Sequence, residues 1–86
     1  MASLRTDMIG NVWISTAYRS ADISGYGSMN YYEVIVWDYN HIEKKLGKIR
    51  YMNDVGNTVR SARKGHERIV KIFRYLEYRK RRESSH

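Results

Sequence analysis

Residues 58–83 read TVRSARKGHERIVKIFRYLEYRKRRE, and apolar or small side chains recur there at Val59, Ala62, His66, Ile69, Val70, Phe73 and Leu76. Steps of three and four throughout describe one face of an α-helix. Thr58 is the preferred N-cap, because its hydroxyl can accept from the otherwise unpaired amides of the first turn; Asn57 is the near alternative. No proline interrupts the run. Glu67 precedes Lys71, and Glu77 precedes Arg81, in the favourable order for i,i+4 ion pairs. The other faces of this helix hold Arg60, Arg63, Lys64, Arg68, Lys71, Arg74, Arg79, Lys80, Arg81 and Arg82. Cations crowded into the last turns also suit the negative end of the helix dipole.

Upstream, the period changes from 3.6 to 2. From Asn11 to Arg19, Val12, Ile14, Thr16 and Tyr18 fall on one face, and Trp13, Ser15, Ala17 and Arg19 on the other. From Tyr31 to Tyr39, Tyr32, Val34 and Val36 alternate with Tyr31, Glu33, Ile35, Trp37 and Tyr39. Two strands follow from this. Ser20 to Ser28 is rich in Gly, Ser and Asp and reads as a nine-residue loop. Asn40 to Gly47 suits a polar turn or one helical turn, Lys48 to Met52 a shorter third strand, and Asn53 to Asn57 a turn cluster. The expected fold is α+β: a three-stranded antiparallel sheet with one long C-terminal helix packed on one face. Residues 1–86 then form a single domain, with 1–10 a flexible N-terminus, 11–57 the sheet and 58–83 the basic helix. A helix over 58–83 would run roughly 39 Å, against about 27–30 Å for a strand of eight or nine residues. That difference predicts a helix whose end projects past its sheet from about Tyr78.

At 86 residues, the chain buries only about 60–65% of its unfolded surface, which leaves room for one core. It contains no cysteine, which excludes disulfides, thiolate nucleophiles and cysteine-ligated zinc. Neither a secretory signal within Met1 to Gly10 nor an apolar run long enough to span a membrane is present, so a cytoplasmic protein without membrane attachment is expected. Charge is segregated. Six cations balance six anions through Asn57, whereas ten cations against three anions follow, supplying the whole net charge of +7. A cationic segment of this kind is what a polyanion-binding element needs, since each phosphate neutralised releases counterions. The competing interpretation is a solvated helix face that merely favours solubility.

A helix covers one face of a sheet, and both faces here carry large residues. Trp13, Tyr31, Ile35, Trp37 and Tyr39 form an aromatic patch on one side, and such patches mark interfaces or base-stacking platforms. The alternation does not decide which side meets the helix. A homodimer seam is at least as well supported as stacking on nucleotides.

No constellation points to catalysis. His41, His66 and His86 lack the spacing of a helical metal pair, and His66 on the apolar stripe reads as a packed core histidine. Glu33 and Asp38 with Lys44 or Lys45 could be assembled into a metal-dependent nuclease site, but such a spacing recurs by chance. Gly25, Gly27 and Ser28 do not open a helix and so form no phosphate loop. Ser15 and Thr16 lie mid-strand without an obvious base. A non-enzymatic protein without cofactors or metal is expected.

Two resemblances bear on this. Ile14-Ser15-Thr16-Ala17-Tyr18, Tyr32-Glu33-Val34-Ile35-Val36-Trp37, and Thr58-Val59-Arg60-Ser61-Ala62 followed by Gly65-His66-Glu67 resemble a group of short phage-encoded β-β-β-α proteins. The likeness spans roughly residues 12–70. Val59 departs from the aromatic often found after the helix-starting Thr, and the basic tail from Arg74 extends beyond the pattern. The resemblance implies a viral accessory protein acting in the host cytoplasm and carries no activity. The element order is also similar to the β-β-β-α half of a double-stranded-RNA-binding domain, whose final helix begins with lysines that touch phosphates; Arg60, Arg63 and Lys64 stand in the first turns here. Fold-level analogy carries no function by itself. The expected activity is binding of nucleic acid or a nucleoprotein through the basic helix. The alternative is a protein–protein inhibitor of a host defence or transcription enzyme, with a homodimer compatible with either.

Overall fold

The computed structural model describes residues 3–84. Four strands and one helix follow in chain order: β1 (Ser3–Ile9), β2 (Val12–Ile23), β3 (Gly27–Asn40), β4 (Lys45–Asp54) and α1 (Val59–Ser84). The strands form one antiparallel meander, β1-β2-β3-β4, and α1 packs across β1, β2 and β3. The architecture is α+β with a single C-terminal helix, but the sheet has four strands rather than three. Ser3 to Ile9, expected as a flexible N-terminus, is paired with β2 from Ser3↔Ala17 to Ile9↔Val12. Its alternation is masked because Arg5 and Asp7 occupy the side facing the helix, where a strand ordinarily shows apolar residues.

The other strands are longer than the sequence suggests. β2 and β3 run past the expected loop to Ile23 and from Gly27, so that only Ser24, Gly25 and Tyr26 connect them. The Tyr26 amide donates to the Ile23 carbonyl at 2.9 Å, and Gly25 and Gly27 take φ of 85° and 87°, values that L side chains rarely adopt. The resulting two-stranded arm, beyond the Tyr18↔Tyr32 pair, carries no helix. Its Gly, Ser and Asp content reflects that exposure rather than a lack of pairing.

Even-numbered residues of β2 and β3 face the helix. Ile14, Val34 and Val36 join Ile69 and Val70 in a small core, with Ile9, Val12, Val55 and Phe73 packed around it. Each such side chain contributes about 1.5–3 kcal/mol when fully buried. Gly65 sets the approach of the helix, since a Cβ there would stand 2.6 Å from Val55 Cγ1. Thr58 is the N-cap: the Ser61 amide donates to Thr58 Oγ1 at 3.1 Å, and the Thr58 amide donates to Ser61 Oγ at 3.4 Å.

The helix is not longer than its sheet. β3, with 14 residues, spans about 48 Å at ~3.4 Å per residue, against roughly 39 Å for α1. Stagger, rather than length, produces an overhang at each end. The arm projects beyond the helix N-terminus. At the opposite end the Glu77 carboxylate covers Gly10 in the β1–β2 turn, with about two helical turns still to run. The molecule accordingly measures 58 × 27 × 19 Å.

Candidate nucleic-acid interface

All ten cations of the helix are exposed, but they do not share one face. Lys80 falls on the stripe of Phe73 and Leu76, and with them lines a groove against Asn11, Val12 and Asp38. Arg81 pairs with Glu77 at 3.4 Å beside the β1–β2 turn. The remaining eight point away from the core stripe. Arg60, Lys71 and Arg82 lie opposite it. Arg63 and Arg74 run along the β1 flank, and Lys64 and Arg68 border a cleft against Tyr51, Asn53 and Asp54 on the β4 flank.

Of these eight, only Arg79 has an ion pair among the described residues, with Glu83 at 3.5 Å and largely in solvent. No ion pair joins Glu67 to Lys71, although their spacing favours one. Arg60, Arg63, Lys64, Arg68, Lys71, Arg74 and Arg82 therefore present uncompensated charge. Tyr75 and Tyr78, more than half exposed, stand among them, and Tyr75, Tyr78, Arg79 and Arg82 line one shallow cleft. Such interleaving of planar rings and guanidinium groups suits contact with both phosphates and bases.

The aromatic set occupies the opposite side of the molecule. Trp13 lies across from Trp37 and Arg19 from Tyr31 in the β2–β3 register, all on the sheet face that α1 does not cover. The Trp13 and Tyr39 rings are 6.0 Å apart, and Tyr39 meets His41 edge-on at 4.9 Å. Trp13, Tyr31, Trp37 and Tyr39 are half-buried. The structure thus separates the two candidate surfaces by the thickness of the sheet and the core.

A third feature joins the buried His66, expected from its place on the apolar stripe, to partners that the sequence alone does not single out. His66 is fully buried; its Nε2 lies 2.7 Å from Asp7 Oδ2 and its Nδ1 2.7 Å from the buried Thr16 Oγ1. Arg5 Nε donates to the same Asp7 oxygen at 3.1 Å. A carboxylate can only accept, so Nε2 carries a proton, and in the neutral ring the Thr16 hydroxyl donates to Nδ1. Burial on its own would raise the pKa of Asp7, but the hydrogen bond with His66 and the charge of Arg5 outweigh it and hold the carboxyl below its ordinary value. The composition of a hydroxyl, an imidazole and a carboxylate invites comparison with a nucleophilic triad. Here Thr16 and His66 have no exposure, so a substrate cannot reach the hydroxyl, and the chain serves to tie α1 to β1 and β2. The apolar spacing of His66 signalled its burial, and Gly10-Asn11 between Ile9 and Val12 is a hairpin signal that would have revealed β1 and, with it, Asp7.

His41 Nε2 donates to the Gly10 carbonyl at 2.8 Å, linking the β3–β4 and β1–β2 turns. His86 lies outside the described residues. Among the described residues, no group of three or more His, Asp or Glu side chains is placed to hold a metal, and no helix is long and apolar enough to cross a membrane.

No family model matches the chain, and comparison with curated proteins and with solved structures finds no significant match.

Proposed function

We propose that this protein is a non-catalytic binder of nucleic-acid backbone, acting through the outward face of α1 as a cytoplasmic accessory protein of the kind its phage resemblance implies. The observation that carries this reading is the row of uncompensated cations along the helix, with Arg60, Lys71 and Arg82 outward and Arg63, Lys64, Arg68 and Arg74 on its two flanks. From Arg60 to Arg82 the row extends roughly 33 Å at ~1.5 Å per residue, comparable to the ~34–36 Å of one duplex turn. Side chains on one helix face contact phosphates without reading base edges, so affinity without sequence preference follows. The buried state of Thr16 and His66 supports a non-catalytic role, because the hydroxyl–imidazole–carboxylate chain is closed to substrates.

A comparison at equal charge tests the reading. Replacing Arg60, Lys71 and Arg82 by Ala removes three cations from the outward face; replacing Lys44, Lys45 and Lys48 removes three from the β3–β4 turn and β4. Fluorescence anisotropy with a short duplex should show affinity falling at least tenfold for the first variant and changing little for the second. Equal losses would mean that net charge alone attracts the duplex, and the helix-face reading would then be wrong.

A further inference from the structure

The uncovered sheet face has the pattern of a buried one. Of the exposed large apolar strand residues, Met8, Ile23, Met29, Leu46, Ile49 and Met52 lie on it, whereas Tyr18 and Tyr51 lie on the helix side, as the strand registers show. The two-stranded arm makes the point most sharply, since α1 covers neither of its sides. On the side continuous with the helix-covered face it pairs Ser20 with Asn30 and Asp22 with Ser28; on the side continuous with the open face it pairs Arg19 with Tyr31, Ala21 with Met29 and Ile23 with Gly27, where Arg19 is the one charged residue. Were both sides to remain in water, nothing would favour this segregation, because period-2 patterning follows burial. Farther along the same face, Ile35 is 8% exposed although no second layer covers it, so its own neighbours Trp37 and Met52 already form a continuous apolar surface.

We propose that this face is a homodimer interface, in which two copies stack sheet on sheet and carry their helices outward. Charge selects the occupant. No charged residue is in register with Trp13, Ile35 or Trp37. The nearby Arg19 and Glu33 neutralise each other at 3.0 Å within the face, and Asp54, in register with Glu33, lies at the edge strand, so the centre of the face holds no charge to recruit an acidic or basic partner. Size agrees: the residues of all four strands, each ~3.4 Å by ~4.8 Å, give a flat footprint of roughly 700 Å². Side-chain relief extends that footprint toward the ~800 Å² per partner of a stable interface. Stacked sheets lie ~10 Å apart, so the two cationic helices point in opposite directions with both sheets between them. Two copies can therefore associate without bringing their excess charge together, and the dimer displays two binding faces. The inference rests on the sheet and stands whether or not α1 binds nucleic acid.

Sedimentation equilibrium of the full chain across the micromolar range is the test, with the double variant Ile49→Glu and Met52→Glu, both half-exposed in the single copy. The wild type should sediment at twice the chain mass, and the variant at the chain mass with an unchanged circular dichroism spectrum. A wild type that stays monomeric overturns the proposal, and so does a variant that remains dimeric. If the variant fails to fold, tryptophan emission of the wild type decides. A red shift on dilution, over the same range as the change in mass, places Trp13 and Trp37 in the interface; constant emission while the mass halves overturns the proposal. Single-copy variants that still bind duplex would leave the functional reading intact, so the two proposals fail separately.

Discussion

His66 Nε2 and Asp7 Oδ2 stand 2.7 Å apart across 59 positions of sequence. Together with the Thr16 hydroxyl on the other ring nitrogen, this bond joins α1 to the first and second strands at one point in an otherwise apolar core. Its directionality matters for function. Packing of Ile69 and Val70 against Ile14, Val34 and Val36 tolerates some rotation of the helix about its axis, whereas two short hydrogen bonds from opposite ends of one ring do not. The rotation they fix turns Arg60, Lys71 and Arg82 away from the sheet.

Thr16→Val keeps the shape of the side chain and removes its hydroxyl, leaving Nδ1 of a buried imidazole without a partner. Such a loss costs about 1–3 kcal/mol. Chemical denaturation should show a lower midpoint with an unchanged slope; an unaltered midpoint would mean that the Thr16–His66 bond contributes nothing.

Asp7 imposes a pH dependence of definite sign. Its carboxyl is held below the ordinary value of 3.8 in the folded chain, so the unfolded chain binds the proton more readily at acid pH. The stability it lends is complete above the unfolded value and is withdrawn as pH falls through the lowered folded one. An NMR titration of the Asp7 side-chain carbon should give a midpoint below 3.8, moving upward in His66→Gln if the exchange weakens the bond to Asp7. A midpoint at or above the ordinary value would remove this account of the buried polar chain.

How far the sequence reveals the molecule depends on which signal each element carries. Helix α1 was fully legible because its apolar stripe, its Thr58 cap and its cations all agree. Strands β2 and β3 were recognisable in their central residues from alternation, but their outer halves were hidden, since an arm exposed on both sides can be built from Ser, Gly and Asp. β1 was missed for the opposite reason: Arg5 and Asp7 face inward to satisfy His66, breaking the alternation that marks a half-buried strand. The ten basic residues were all identified, yet their division into an outward set and the inward-leaning Lys80 and Arg81 depends on how α1 sits over the β1–β2 turn. Which aromatic face stays open could not be read from two equally apolar faces. Asp7 and Thr16, by taking the even side of the sheet against His66, decide it.

Gly65→Ala offers a check on the helix approach. In an isolated helix the change would favour folding by ~1 kcal/mol, but here the added methyl would press on Val55 at 2.6 Å. Overpacking typically costs about 1–3 kcal/mol. A net loss of stability is expected on thermal denaturation, and a gain would show that Val55 yields freely.

The central claim is that the outward face of α1 engages phosphates, and the salt dependence of duplex binding by the wild-type chain tests it most directly. With about five to seven phosphates neutralised, the logarithm of affinity should fall against the logarithm of salt with a slope of roughly −4 to −6, weakening binding by about 10²- to 10⁴-fold between ~50 and ~200 mM. A flat response, or no complex at low salt, would contradict the account.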